Sequence, residues 1–272
     1  MSKDIESSFL LFETLNNGQP SGHASGCLVE YKNKKYFFSV EHAVKKANFY
    51  LQKKYIPKLA RTELSGVGQF NRIGKLVVNE QMKNNPFLFE QQLDDMINDN
   101  PTKENFVDFA YKEITDDTFK LNCFFQLIIQ ENFGTITREL KKKYFKINQK
   151  IIPKKNEICK FAGFVLPTTF PSRDGSIIKE YCLQKSEIEF LGNWEKKEGY
   201  YKFKSLKPML NDVFYEGCSG SPILNSNGRI VALVNEGCAS RNEIYGISIE
   251  TCKQYINLDI LANNILENNN LS

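Results

Sequence analysis

The chain has 272 residues, of which 41% are hydrophobic and 25% are charged, which is typical of a folded globular protein and excludes wholesale disorder. The net charge of +4 is too small to indicate a nucleic-acid-binding protein. The sequence contains no run of about 18 apolar residues, which a membrane-spanning helix would need. From the charge we expect no nucleic acid as a partner, and from the missing apolar run we expect no membrane.

The first predicted strand, over residues 8–14, is too short an apolar run to be a secretory signal, and we expect a cytoplasmic protein. The seven cysteines are odd in number, widely spaced and free of CxxC pairs. They are interpreted as reduced thiols, and we expect no zinc site. Phosphate-loop, dinucleotide and HExxH motifs are absent from the sequence, so we expect no cofactor and no metal.

The remaining elements of the first half alternate between strands and turns. Residues 16–25 are rich in Asn, Gly and Ser and predict a loop. The hairpin predicted over 26–40 turns at 32–34 and is followed by a helical turn over 41–46. Polar residues predict a surface excursion at 84–105. Further strands are predicted near 48–56, 69–79, 106–114 and 119–130.

Residues 138–155 are strongly basic, with Glu139 as the single acidic residue. Our interpretation is a solvated linker between two halves of the chain. The alternative is a docking patch for an acidic partner.

The second half contains more strands and ends in a helix. Asn225–Gly228 is a strong hairpin signal, and apolar residues at helical spacing over 250–266 predict an amphipathic helix. Many short strands with turn signals indicate a barrel or a sandwich. The predicted strands are 157–166, 179–190, 198–204, 222–225, 229–235 and 244–249.

The sharpest chemical motif is GCSGSP over 217–222. A nucleophilic serine needs an exposed hydroxyl on a tight turn, and glycines on both sides of Ser219 permit such a backbone. The N–H groups of Gly217 and Ser219 are then the predicted oxyanion hole. An ordinary Gly/Ser/Pro turn is the alternative. Cys218 as the nucleophile is disfavoured, because Glu216 and Ser219 stand where flanking glycines would be needed.

The sequence has only two histidines, and His42 is the candidate base because it follows the apolar strand of the hairpin. The alternative is a structural histidine at a strand end. His23 lies in the predicted loop. Asp108 is the candidate orienting carboxylate, because apolar strand residues surround it and a buried carboxylate needs a partner.

The order His42, Asp108, Ser219 excludes the α/β-hydrolase and subtilisin arrangements. The segments SGCLV over 25–29, FFSVEHAV over 37–44, DFA over 108–110 and GCSGSP resemble those of chymotrypsin-type serine peptidases. The resemblance covers roughly residues 20–250. It implies a serine endopeptidase with a Ser-His-Asp triad and a polypeptide substrate.

The resemblance also implies an all-β fold of two six-stranded antiparallel β-barrels with a C-terminal helix. The expected division is an N-terminal barrel over 1–135, a basic linker over 136–156, a C-terminal barrel over 157–249, and a helix and tail over 250–272. Cys218 stands where secreted members carry an Asp that pairs with a new N-terminus. We therefore expect an activity that needs no proteolytic maturation.

The family layout implies a primary substrate pocket. No Asp occupies its expected floor at Val213, which argues against simple trypsin-like specificity. The three glutamates among the implied substrate-binding residues either favour a basic substrate side chain or are ordinary surface carboxylates. The implied substrate-binding residues are Val213, Glu216, Asn235, Glu236, Gly237 and Glu243.

Two other functions remain open from sequence. One is a catalytically inactive barrel that serves as a binding module. The other is a peptidase module that works only in a larger assembly with a regulatory protein partner.

Overall fold

The structure, a computed structural model, describes the backbone of residues 9–14, 20–44, 49–56, 61–68, 71–72, 107–114, 124–125, 138–139, 144–171, 177–209 and 215–269. Side chains are described for residues 25–44, 107–114, 144–163, 186–209 and 215–260. The predicted excursion at 84–105 lies outside the described residues.

The described strands of the first half are β1 (Phe9–Thr14), β2 (Pro20–Tyr31), β3 (Lys34–Ser39), β4 (Phe49–Ile56), β5 (Arg61–Gly68), β6 (Asn71–Arg72), β7 (Ala110–Glu113), β8 (Phe124–Phe125), β9 (Arg138–Glu139) and β10 (Tyr144–Lys146). Eight of them form a sheet in the order β5-β4-β1-β2-β3-β7-β6, with β10 paired in parallel to β2. A short helix, α1 (Glu41–Val44), follows β3 where the sequence predicted a helical turn.

The expectation of a closed barrel in this half is wrong for the strands that the structure describes. Closure would require the edge strands β5 and β6 to pair, and no hydrogen-bonded ladder joins them. The long strand β2 instead divides its partners: residues 20–26 pair with β1 and residues 27–31 pair with β3. Residues 20–25, predicted as a loop, therefore belong to a strand.

The basic segment at 138–155 is not entirely a solvated linker, because β10 lies within it. Phe145 and Ile147 are buried and alternate with the exposed Lys146, as expected of a strand with one buried face. The lysines around these residues conceal that alternation in the sequence.

The elements of the second half are β11 (Ile158–Pro171), β12 (Ile177–Asn193), β13 (Tyr200–Ser205), β14 (Pro222–Leu224), β15 (Ile230–Cys238), β16 (Glu243–Ser248) and α2 (Ile249–Asn269). The strands form a closed antiparallel barrel in the order β11-β12-β13-β16-β15-β14, in which β14 pairs back to β11. Of the two predicted six-stranded antiparallel barrels, this second one is confirmed, and so is the C-terminal helix.

Among the described residues, two hydrophobic clusters hold the fold together. One fills the closed barrel with side chains such as Ile188, Phe203 and Val231. The other joins Phe38 and Phe109 of the first half to the barrel strands and to α2. Because apolar side chains from both halves are buried in this second cluster, it holds the two halves together at the boundary where the candidate site lies. In the part of the chain that the structure describes, no helix has both the length and the hydrophobicity to span a membrane.

Candidate active site

His42 lies in α1, directly after the buried strand β3, and its side chain is 44% exposed. Its Nδ1 contacts Asp108 Oδ2 in a short hydrogen bond. Its main-chain N–H donates to Asp108 Oδ1 at 2.7 Å. One carboxylate therefore holds both the ring and the backbone of His42, which favours the tautomer protonated at Nδ1 and leaves Nε2 as an acceptor.

Asp108 precedes β7, and its side chain is only 8% exposed. Asn235 Nδ2 donates to Oδ2, and the Asp108 main-chain N–H donates to Tyr200 Oη at 2.9 Å. Burial raises the pKa of Asp108, but the hydrogen bonds and charge of His42, with the Asn235 bond, outweigh it and bring the pKa below its usual value. The carboxylate is therefore held ionised at neutral pH.

Ser219 lies in the loop before β14, between Gly217 with φ +93° and Gly220 with φ +89°. Both angles are in the region that favours glycine. A Cβ at Gly220 would lie 2.1 Å from the carbonyl oxygen of Ser25, so the close approach of β2 also demands glycine. The loop is tied to β15 by Gly220 N–H, which donates to Val234 O at 2.8 Å.

The Ser219 hydroxyl donates to the main-chain oxygen of Asn235 at 3.2 Å. Among the described residues no hydrogen bond joins Ser219 Oγ to His42. Both side chains nevertheless line one cleft of about 470 Å³ at the boundary of the two halves. Proton transfer between them therefore requires the Ser219 side chain to turn from Asn235 toward His42.

Ser25 binds the main-chain carbonyl oxygens of Gly217 and Ser219, the two residues whose N–H groups are predicted to form an oxyanion hole. Ser25 Oγ donates to Gly217 O at 2.7 Å, and Ser25 N–H donates to Ser219 O at 3.0 Å. Within the described part of the chain, the N–H groups of Gly217 and Ser219 donate to no acceptor. Of these two residues, Ser219 lines the cleft and Gly217 is not among the residues that line it.

The structure brings most of the predicted pocket residues together. Glu216, Asn235, Glu236 and Gly237 line the cleft with Ser219. Val213 lies outside the described residues.

Glu243 does not line the cleft. Its carboxylate accepts hydrogen bonds from Tyr245 Oη and, at 3.1 Å, from Arg241 Nε. Side chains alternate along β16, and Ile244 faces the cleft instead.

Cys218 is fully buried in the barrel core. Burial raises the pKa of its thiol to about 12. A protonated, enclosed thiol is a poor nucleophile, which agrees with the sequence argument against Cys218.

Sequence reasoning missed three contributions from the closed barrel. Tyr200 Oη accepts a hydrogen bond from the Asp108 main-chain N–H, and the Asn235 side chain donates to the Asp108 carboxylate. Lys197 Nζ lies 4.3 Å from the centre of the Tyr200 ring. Burial lowers the pKa of Lys197, while the charges of Asp108 and Glu236 oppose that shift. The only signal for these partners in the sequence is the general need of a buried carboxylate for donors.

Four apolar or aromatic residues, Phe161, Tyr215, Val234 and Ile244, line the cleft together with the exposed Glu216 and Glu236. Among the described residues no group of three His, Cys, Asp or Glu side chains is placed to hold a metal ion.

No protein-family model and no curated protein sequence matches the chain. Among solved structures it is similar to neuropsin, a serine protease expressed in mouse brain, with a TM-score of 0.54 and 14% identity over 96% of each chain. It is also similar to an inactivated protease paralogue of the scabies mite, with a TM-score of 0.53 and 11% identity over 96% of each chain. At these identities the likeness concerns the fold alone. The chain therefore has a fold similar to that of the chymotrypsin-like serine proteases.

Proposed function

We propose that this chain is a serine endopeptidase that hydrolyses peptide bonds through Ser219, His42 and Asp108. The observation that carries the proposal is that Ser219 lines the same cleft as His42, whose Nδ1 is bonded to the buried Asp108. A polypeptide is the proposed substrate, because the cleft is open and is lined by both apolar and polar residues.

In the proposed reaction, Ser219 Oγ turns from Asn235 and gives its proton to His42 Nε2 as it attacks the peptide carbonyl carbon. Asp108 keeps the Nδ1 proton in place and stabilises the imidazolium that forms. The Gly217 and Ser219 N–H groups donate to the oxyanion of the tetrahedral intermediate.

Collapse of the intermediate breaks the C–N bond, and His42 gives its proton to the leaving amine. An acyl-enzyme on Ser219 remains. Water then attacks the ester carbonyl with His42 as base. As the bond between the acyl carbon and Ser219 Oγ breaks, His42 returns the proton to Oγ, and the second product leaves as a carboxylic acid.

A fluorophosphonate probe, which reacts covalently with an activated serine hydroxyl, tests this proposal. We expect the wild-type chain to be labelled and Ser219→Ala to be unlabelled. Ser221→Ala is the matched control, because Ser221 is two residues away and its buried hydroxyl has no hydrogen-bond partner among the described residues. Labelling of Ser219→Ala at the wild-type rate would overturn the assignment.

The second candidate is a catalytically inactive binding module. The hydrogen bond of Ser219 Oγ to Asn235 O, rather than to His42, favours it. A folded wild-type chain that the probe leaves unlabelled, alone and with added protein partners, would support this candidate over the endopeptidase.

A further inference from the structure

A second groove lies apart from the candidate active site. It runs between residues 150–157 and the turn at residues 225–229, and its volume is about 480 Å³. None of the described residues lines both this groove and the cleft that holds Ser219. We call it the basic groove.

Four exposed cations line the basic groove: Lys150, Lys154, Lys155 and Arg229. Among the described residues, none of the four forms an ion pair with a carboxylate. Arg229 donates instead to the neutral Gln149 Oε1 at 3.1 Å. Other exposed lysines, such as Lys160, pair with a glutamate. The groove therefore carries four cations against one carboxylate, that of Glu157, whose charge interacts with Lys154.

The single acidic residue in the groove wall, Glu157, is occupied in holding the groove together. Its Oε2 accepts the Lys154 main-chain N–H at 2.9 Å. Its Oε1 accepts the Ser226 main-chain N–H at 3.1 Å and the Ser226 hydroxyl. Glu157 thus bridges the two walls and presets the shape of the groove, which lowers the entropic cost of binding.

The groove also carries an apolar contact and neutral hydrogen-bonding groups. Ile152 is 55% exposed at its wall. Asn156 and Asn227 are exposed there and offer amides that can pair with a peptide backbone. Among the described residues that line the groove none is aromatic, so these residues offer no stacking platform for nucleic-acid bases.

We propose that the basic groove is a docking site for an acidic segment of a partner protein. The carboxylates of the segment pair with the lysines and Arg229, and one of its apolar side chains packs against Ile152. The charge complementarity and the apolar contact together favour a polypeptide over a nucleic acid.

The test uses a fluorescein-labelled peptide that alternates glutamate with serine around one central leucine, with binding followed by fluorescence anisotropy. We expect Lys154→Glu/Lys155→Glu in the full chain to weaken binding by about tenfold or more. The matched control is Lys204→Glu/Lys207→Glu, which makes the same charge change at exposed lysines outside the groove. It should change affinity by less than about twofold. Equal losses in the two variants would overturn the proposal.

Two further comparisons separate a peptide site from a general polyanion surface. Ile152→Ser should weaken binding of the leucine peptide severalfold and leave binding of a peptide with serine in place of leucine unchanged. A thymidine oligonucleotide of equal charge should bind more weakly than the leucine peptide. The proposal fails if the oligonucleotide binds as tightly, or if Ile152→Ser has no effect on the leucine peptide.

Discussion

The hydroxyl of Tyr200, on the closed barrel, accepts a hydrogen bond at 2.9 Å from the main-chain N–H of Asp108, in the other half of the chain. Both residues are buried. With Asn235 bonded to the carboxylate, the barrel fixes Asp108 at its backbone and at its side chain. The orientation of His42 therefore depends on the second half, although His42 itself lies in the first.

Tyr200→Phe should slow fluorophosphonate labelling and shift its pH profile, because the buried Asp108 N–H loses its acceptor and the carboxylate moves against His42. The loss should cost about 1–3 kcal/mol of stability. Tyr36→Phe is the control, since Tyr36 is equally buried and its hydroxyl has no hydrogen-bond partner among the described residues. The pH profile of labelling separates the two variants. Identical profiles for Tyr200→Phe and the wild type would contradict a positioning role.

Asp108→Asn should make the free energy of unfolding depend less on pH in the acidic range. The pKa of Asp108 is lower in the folded chain than its ordinary value, so its ionised form stabilises the fold. This stability is present above the ordinary pKa of about 4 and is lost as the pH falls through the folded-state pKa. Urea unfolding between about pH 6 and pH 3 measures the difference. A wild-type chain that loses no more stability than Asp108→Asn over this range would contradict the prediction.

Gly220→Ala should destabilise the fold by about 3 kcal/mol or more, because it combines a strained φ with a clash against the Ser25 backbone. Gly228→Ala is the matched control: φ is +70°, but a Cβ there would meet no atom within 4 Å. That change should cost only about 1 kcal/mol. Chemical denaturation of both variants tests the prediction. Equal losses of unfolding free energy in the two variants would show that the clash with Ser25 does not contribute.

Cys218→Ala should retain substantial peptide cleavage, whereas Ser219→Ala should lose about 10⁴-fold or more. Cys218 contributes packing in the core, and its removal should cost about 1–2 kcal/mol. In the native chain, alkylation at about pH 8 should modify the partly exposed Cys238 before the buried Cys218. Peptide mass spectrometry identifies the modified thiol. Loss of cleavage in Cys218→Ala with retention in Ser219→Ala would make the chain a cysteine peptidase.

Local patterns in the sequence were sufficient to predict strands of a barrel or a sandwich and the C-terminal helix, because each element carries its own periodicity and turn signals. The choice of a closed barrel came from the resemblance to chymotrypsin-type peptidases. They also identified His42, Asp108 and Ser219 as candidates, and the structure brings these residues to one boundary. Short motifs carry such information because the backbone and solvent exposure that they need are set within a few residues.

The features that were missed depend on long-range pairing. Residues 20–25 have the composition of a loop, yet β1 recruits them into β2, because backbone hydrogen bonding does not depend on side-chain composition. Whether the first half closes depends on the distance between β5 and β6, which no local pattern reports. Tyr200 and Tyr201 are indistinguishable in sequence, and only the register of β13 decides which one faces Asp108.

The two hydrogen bonds that Ser25 donates to the loop of Ser219 have a consequence for protein synthesis. The half that contains Ser25, His42 and Asp108 leaves the ribosome first, and the loop that completes the site emerges later. No nascent chain can assemble the cleft until both halves have docked. Whatever chemistry this site performs is thereby withheld from the neighbouring nascent chains until the polypeptide has folded.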